Sequence, residues 1–383
     1  MAGNADREKV QQALDWAVTE SGVPGIVAEV HDADGTWFGT AGVADIRTGA
    51  RRRPGEHFHA GSGGKAFTAA AVLQLEAEGR LSLADPVEKW LPGVMNGSGY
   101  DGDKITIHHL LSNTGGLFST GLAPETTDNY ATRAGLEKHR FDLWSTSDLL
   151  RLGLSQPPIG EPGERFVYSN GGYYLAGAII EKVSGNSYAE EVDRTVIRPL
   201  GLKHTYVRAV TDTGYPDPHP RAYSSMFLKD GTDPASLTPE NWVSLMEGPG
   251  TPPLDVTEFN TSLFWSAGNV ISTTGDLIRF VDAMASGSLL PPAQHRAMWT
   301  TVSTEGSGWI PRTRYGLGMF EVDEELAGGR TLRGMAGAFW GTGSIGVGEP
   351  DGERAVVVHT NTDWRDFKIA FRVLDAVFGF TGG

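Results

Sequence analysis

Two short strings carry residue types that can do chemistry together: Ser62-Gly63-Gly64-Lys65, and Tyr168-Ser169-Asn170 about a hundred residues later. A serine and a lysine three apart share one face of a helical turn. The hydroxyl then lies beside an amine able to hold or accept its proton, which is how a weak nucleophile is activated. Tyr168 and Asn170, brought in from elsewhere, would complete a site for acyl transfer. The Ser62 amide at a helix start supplies one N–H for a developing oxyanion, and a second has to come from an edge strand. Each residue also has a plainer reading: Lys65 on the surface, Tyr168 in the core, Asn170 capping the helix that follows. The string Ala60-x-Ser62-x-Gly64 can also be read as a strand-to-helix nucleophile elbow. That turn wants glycine at 60 and several alternating strands and helices before it, whereas only two strands are readable.

The elements around these strings follow from periodicity and breakers. Asn4 or Asp6 can cap a first helix with Val10, Leu14 and Val18 along its apolar stripe. Pro24-Gly25 ends it, and residues 26–30 and 37–43 read as strands joined by an Asp34-Gly35 turn. Residues 57–61 lead into Ser62. The run 66–75 is apolar nearly all round, as a helix buried on every side must be, and Gly79 stops it. Helical patterns follow at 107–111, 173–183 and 277–284. Between them, 118–128 and 211–253 are Pro- and Gly-rich and are expected to be long loops, candidate lids with Phe264-Trp265 near their return. Strands come back at 345–348 and 355–359 around an Asp351-Gly352 turn, and 366–378 reads as a closing helix. The pattern predicts an α/β plus all-α architecture, with one sheet assembled from both chain ends and a helical insertion. The expected division is an α/β domain of residues 1–79 and 265–383 around a mainly helical domain of residues 80–264.

Composition narrows the partners. At 383 residues and a formal net charge of −15, the chain has ample core and repels nucleic acid and anionic membranes. Cysteine is absent, which excludes disulfides, thiolate catalysis and Cys-ligated zinc. The ten histidines show no H-x-x-x-H or H-E-x-x-H spacing, and the adjacent His108-His109 diverge on a helix. No metal and no cofactor is expected. Residues 1–20 lack the basic and apolar segments of a signal peptide, and no stretch reaches the length of a membrane span. A cytoplasmic protein is expected.

Beyond Ser62-x-x-Lys65, a series of strings resembles one family in order along nearly the whole chain. They include Gly22-Val23-Pro24-Gly25, Leu81-Ser82-Leu83-Ala84-Asp85-Pro86, Ile107-His108-His109-Leu110-Leu111 with Gly115-Gly116-Leu117, and Pro162-Gly163 through Tyr168-Ser169-Asn170-Gly171. Later come Ile197-Arg198-Pro199-Leu200-Gly201-Leu202, Ser272-Thr273 with Asp276-Leu277, and Tyr315-Gly316-Leu317-Gly318. The set resembles the serine hydrolases that include class C β-lactamases, D-alanyl-D-alanine carboxypeptidases and related esterases and transacylases. The resemblance implies the β-lactamase/penicillin-binding-protein-like fold, with an antiparallel sheet flanked by helices. It implies Ser62 as the acylated nucleophile, Lys65 as the group that holds its hydroxyl and helps remove the proton, and Tyr168 as the proton shuttle. Asn170 would hydrogen-bond the substrate.

The third motif departs from that pattern. The family carries Lys or His, then Thr, then Gly on the strand lining the site. Counting back from the Asp351-Gly352 turn, Met335-Ala336-Gly337 stands there, and Gly341-Thr342-Gly343 is an alternative register. In the first register Ala338 N–H is the second oxyanion donor. Met335 cannot replace the family's cation, whose partner is a substrate carboxylate; losing one member of such a desolvated pair costs about 2–5 kcal/mol. Arg333, two residues earlier on the strand, is the nearby alternative cation. Met335, Phe339 and Trp340 instead point either to an uncharged or apolar acyl group or, equally, to ordinary strand and core packing. Gly63-Gly64 replaces a bulkier pair, either loosening the helix start or opening space over Ser62.

The expected function is therefore a serine esterase, amidase or transacylase. It would act on a small-molecule ester or amide and resolve the acyl-enzyme with water, an amine or an alcohol. The alternatives are a D-peptidase or weak β-lactamase, and a non-catalytic binding relative on the same scaffold.

Overall fold

The computed structural model describes residues 2–238, 241–247, 251–363 and 368–380. Helix α1 (Ala2–Thr19) buries Val10, Ala13, Leu14 and Ala17, a spacing that keeps to one helical face. Val18, expected on that stripe, packs against the same cluster but is only half-buried, and Ala17 is the fully buried residue beside it. The chain then enters the hairpin of β1 (Gly25–Asp32) and β2 (Gly35–Asp45). Asp32 pairs with Gly35, so the turn residues are Ala33 and Asp34, one position earlier than the Asp-Gly signal suggests.

Seven further strands complete an antiparallel sheet: β3 (Ala50–Arg51), β4 (Val302–Ser303), β5 (Thr313–Tyr315), β6 (Phe320–Val322), β7 (Arg333–Phe339), β8 (Thr342–Gly348) and β9 (Ala355–Thr360). Their order is β3-β2-β1-β9-β8-β7-β6-β5-β4, so strands from both chain ends meet at the β1–β9 pair. The unbroken apolar run Ala355 to Val358 belongs in such a central strand, where both faces are covered. One face packs under α1 and the last helix, around Leu14, Ile345 and Val373. The other packs under α2 (Gly64–Ala77) and α4 (Thr274–Ser286). The same apolar cluster continues into the helical region through α3 (Asn170–Ser184), so sheet and insertion share one core. Helix α5 (Lys368–Phe378) closes the chain, and Asp366 and Phe367, expected at its start, lie outside the described residues.

The stretch 118–128 is not the loop its composition suggests. It holds a 3-10 turn, Thr120–Leu122, and a helix, Pro124–Tyr130. Pro124 sits in the first helical turn, where its missing N–H costs nothing, so the residue read as a breaker is a starter. Residues 211–253 are mostly irregular, with short pieces such as Tyr223–Ser224, which pairs with Leu254–Asp255. No helix among the described residues is long and apolar enough to cross a membrane.

Candidate active site

The turn that carries Ser62 is held from three sides before any substrate is considered. Ser62 lies in the 3-10 turn Gly61–Gly63 that opens α2. Gly61 takes φ +57°, a left-handed conformation that glycine adopts without strain, and its N–H donates to His59 Nδ1 at 2.9 Å. From β8, Thr342 donates to the His59 carbonyl and Ser344 to the Ala60 carbonyl, each at 3.1 Å. The Thr342 hydroxyl has one proton, so His359 Nε2, 3.0 Å away, must be the donor to it. Arg52 in turn reaches His359 Nδ1 at 2.8 Å and Glu56 at 2.6 Å, both in the interior. Burial and the Arg52 charge keep His359 neutral, its pKa well below the ordinary imidazole range, as that tautomer requires. The string Gly341-Thr342-Gly343 thus serves the site from one strand further out, and Met335-Ala336-Gly337 is the segment against Ser62.

That approach is backbone to backbone. A Cβ on Gly337 would collide with the Ala60 carbonyl and stand 2.7 Å from Ser62 N, and one on Gly61 would stand 2.9 Å from Ala338 N. Only glycine lets β7 bring the Ala338 amide beside the Ser62 amide. Gly337→Ala is expected to lower ester turnover by about 100-fold, because misplacement by roughly an ångström costs that much. Steady-state kinetics alongside thermal unfolding would show whether turnover falls further than stability does.

Lys65 is 1% exposed. Its Nζ donates to Asn170 Oδ1 at 2.6 Å and to the Ala267 carbonyl at 2.8 Å, and lies 3.4 Å from Ser62 Oγ. Burial holds its pKa well below the ordinary ammonium range. Ser169, not Asn170, caps α3: its hydroxyl accepts from Gly171 N–H at 3.1 Å and donates to the Phe118 carbonyl at 2.7 Å. Asn170 is left free to reach Lys65. The Tyr168 ring lies 4.8 Å from Lys65 Nζ and stacks on Trp309 at 4.5 Å. Its hydroxyl is buried without a properly aligned hydrogen bond among the described residues. Burial, with Tyr315 and Tyr174 adding to it, raises the phenol's pKa, and the nearby Ser62 hydroxyl offsets only part of this.

Beside these groups is a cavity of about 190 Å³, with Asn170 at its edge and Met226, Leu263, Phe264, Phe339 and Trp340 in its walls. Ala338 also lines it, and no charged side chain does among the described residues. Met335 and Ala336, expected to touch substrate, do not line this cavity. Met335 is 1% exposed in the core under α2, and its methyl occupies the space a Gly63 side chain would need. Ala336, pointing to the other face as strand alternation requires, joins the cluster under α1. Gly63 and Gly64 therefore make room for the core, not for substrate: a Cβ on Gly64 would stand 2.8 Å from Gly268 Cα. Arg333 is engaged elsewhere, donating to the Ala285 carbonyl at 2.8 Å and pairing with Glu321 at 3.4 Å.

Several contributors escape a reading by motif. Ala267 acts through its carbonyl, delivered by a turn in which Trp265 takes the unusual φ of +25°. Tyr173 packs its ring 5.2 Å from Lys65 Nζ; its place one helical turn after Asn170 is a signal that could have found it. A larger depression of about 450 Å³ lies near Arg7, Trp37 and Arg354, at the hairpin turns that mark the opposite end of the central strands from Ser62.

The Beta-lactamase family model matches residues 7–377. A D-stereospecific amidohydrolase from Streptomyces sp. is 35% identical, covers 97% of this chain and 98% of its own, and superposes with a TM-score of 0.83. Esterase EstB of Burkholderia gladioli is 29% identical over 317 residues, 79% of this chain and 77% of the esterase. Penicillin-binding protein 4* of Bacillus subtilis (strain 168) is 27% identical over 305 residues. That match spans 75% of this chain but only 59% of the relative's length. Nearly full-length agreement in sequence and fold leaves one conclusion: the chain belongs to the Beta-lactamase family and is a serine hydrolase.

Proposed function

We propose that the protein forms an acyl-enzyme on Ser62 from a small-molecule ester or amide with an uncharged acyl group, and passes that group to water, an amine or an alcohol. The observation that carries this reading is the setting of Lys65. A neutral amine has two N–H bonds and one lone pair. Asn170 Oδ1 and the Ala267 carbonyl take the two N–H bonds, so the lone pair is left for the Ser62 hydroxyl. Burial favours the neutral amine, lowering the Lys65 pKa well below its ordinary value.

In this mechanism Ser62 gives its proton to Lys65 as Oγ attacks the carbonyl carbon. The Ser62 and Ala338 amides receive the oxyanion. Tyr168, a neutral phenol, donates to the leaving group and is reprotonated at the expense of Lys65, so the net transfer runs from Ser62 to the leaving group. The apolar walls hold the acyl chain and limit water, which favours an added acceptor when one is present.

The test is a matched panel of p-nitrophenyl esters: acetate, butyrate and phenylacetate against the hemisuccinate, whose acyl chain ends in a carboxylate. The neutral esters should exceed the hemisuccinate in kcat/KM by at least about 30-fold, the discrimination expected when a desolvated charge finds no partner. Faster turnover of the hemisuccinate would sink the neutral-acyl reading. A second reading, hydrolysis of D-configured amides, is favoured by the 35% identical D-stereospecific amidohydrolase. Comparing D- and L-phenylalanine amide decides it: no turnover of either removes it.

A further inference from the structure

We propose that Trp309 is a positioning residue for Tyr168, and that its indole face, not a hydrogen bond, aims the phenol at the reacting atoms. The inference rests on the acid role given to Tyr168 above. Tyr168 comes from an extended stretch ahead of α3, where the backbone is fixed on Asn113: Val167 N–H donates to its carbonyl at 2.7 Å and Ser169 N–H to its Oδ1 at 3.0 Å. Those bonds fix the main chain and leave the ring free to turn. The hydroxyl makes no aligned hydrogen bond among the described residues, so its direction depends on what packs against the ring. The Trp309 ring supplies the packing, stacked at 4.5 Å between centroids with planes 20° apart.

Trp309 is itself wedged. It meets Tyr315 edge-on at 5.6 Å and 87°, and Phe166 at 6.0 Å. Tyr315 is interior, with its hydroxyl 3.5 Å from that of Tyr173. The indole nitrogen is buried without a partner among the described residues, an arrangement that disfavours the fold. A phenylalanine would fill the core here without that penalty. What the indole adds is a wider flat surface, which matters for holding a second ring in place.

Removing the indole should also admit water to the phenol. The titratable groups around Tyr168 are Lys65 from α2, Tyr173 and Tyr174 from α3, and Tyr315 from β5, with the Ser62 hydroxyl beside it. None carries a negative charge near neutral pH. Desolvation is the largest influence raising the Tyr168 pKa, so hydration lowers it and brings the basic limb of the pH–rate profile down in pH.

The experiment measures phenol release from phenyl butyrate, whose leaving oxygen takes up a proton at neutral pH, in the first turnover, with KM and the pH profile, for Trp309→Ala, Trp309→Leu and Trp309→Phe, beside Tyr168→Phe. Trp309→Ala is expected to acylate about 10–100-fold more slowly with KM within about twofold of wild type, and with its basic limb at lower pH. Trp309→Leu keeps part of the apolar bulk but not the flat face and should be slow as well; it stands in if the alanine variant fails to fold. Trp309→Phe should recover to within about fivefold of wild type. Wild-type acylation in the alanine or leucine variant overturns the proposal. So does an equal loss in all three variants that tracks thermal stability with an unmoved pH profile. Full activity in Tyr168→Phe would instead overturn the acid role of Tyr168, whatever the Trp309 variants show.

Discussion

Ser62→Ala is expected to remain folded while ester turnover falls by about 10⁴–10⁶-fold, leaving only what the oxyanion amides and substrate binding can do alone. The substitution deletes one oxygen whose nearest partner is Lys65 Nζ at 3.4 Å, so the fold should change in stability by about 1 kcal/mol or less. The turn itself does not depend on that oxygen. Its carbonyls are held by Thr342 and Ser344, and its glycine amide by His59. Two measurements check the result. Hydrolysis of p-nitrophenyl butyrate should vanish in the variant, and mass spectrometry of quenched wild type should find the butyryl group on Ser62. Turnover within tenfold of wild type would mean that the nucleophile lies elsewhere. Acylation of Ser62 without turnover would leave the nucleophile intact and move attention to the acceptor.

Much of this site is legible in the chain because its chemistry sits at fixed spacing on regular structure. Ser62, in the 3-10 turn that opens α2, and Lys65, in the first turn of α2, are one turn apart, and the apolar run behind them has nowhere to go but the core. Tyr168 and Asn170 are legible by the same logic, since a helix start fixes what precedes it. The third strand is harder, because a period of two says which residues share a face but not which face meets the substrate. Met335 and Phe339 lie on one side of β7 and Ala336 on the other, yet only Phe339 reaches the cavity, since Gly63 opens a hole that the Met335 side chain fills. The paired glycines at 63 and 64 look like slack in a helix start until Met335 and Gly268 are seen in the space they leave. Trp309 gives no local signal at all: it lies in the loop between β4 and β5, and its contact with Tyr168 exists only once the sheet has formed. The helix at Pro124–Tyr130 fails for another reason, since proline breaks a helix interior but suits its first turn.

Lys65→Met should abolish activity and, in the same protein, remove a pH dependence of stability. The loss of activity follows from removing the base: general-base catalysis is worth about 10²–10⁴-fold, and a methionine sulfur cannot take the Ser62 proton. The stability effect follows from linkage. In the unfolded chain Lys65 binds its proton near the ordinary value of 10.5, whereas in the folded chain burial pushes that value well below. Between the two values the unfolded state holds a proton that the folded state lacks. Stability therefore rises with pH across that window, and Lys65 costs the fold most at and below its depressed folded value. Methionine is similar in length, apolar and untitratable, so it removes this contribution while leaving Asn170 Oδ1 and the Ala267 carbonyl short of a donor. That second effect is independent of pH. Melting temperatures of the two proteins, compared from about pH 10 down to about pH 6, should move steadily in favour of Lys65→Met as pH falls. A difference that stays flat over the whole range would show that Lys65 is charged in the folded protein. The lone pair assigned to Ser62 would then not exist, and the proton would have to leave Ser62 by way of Tyr168.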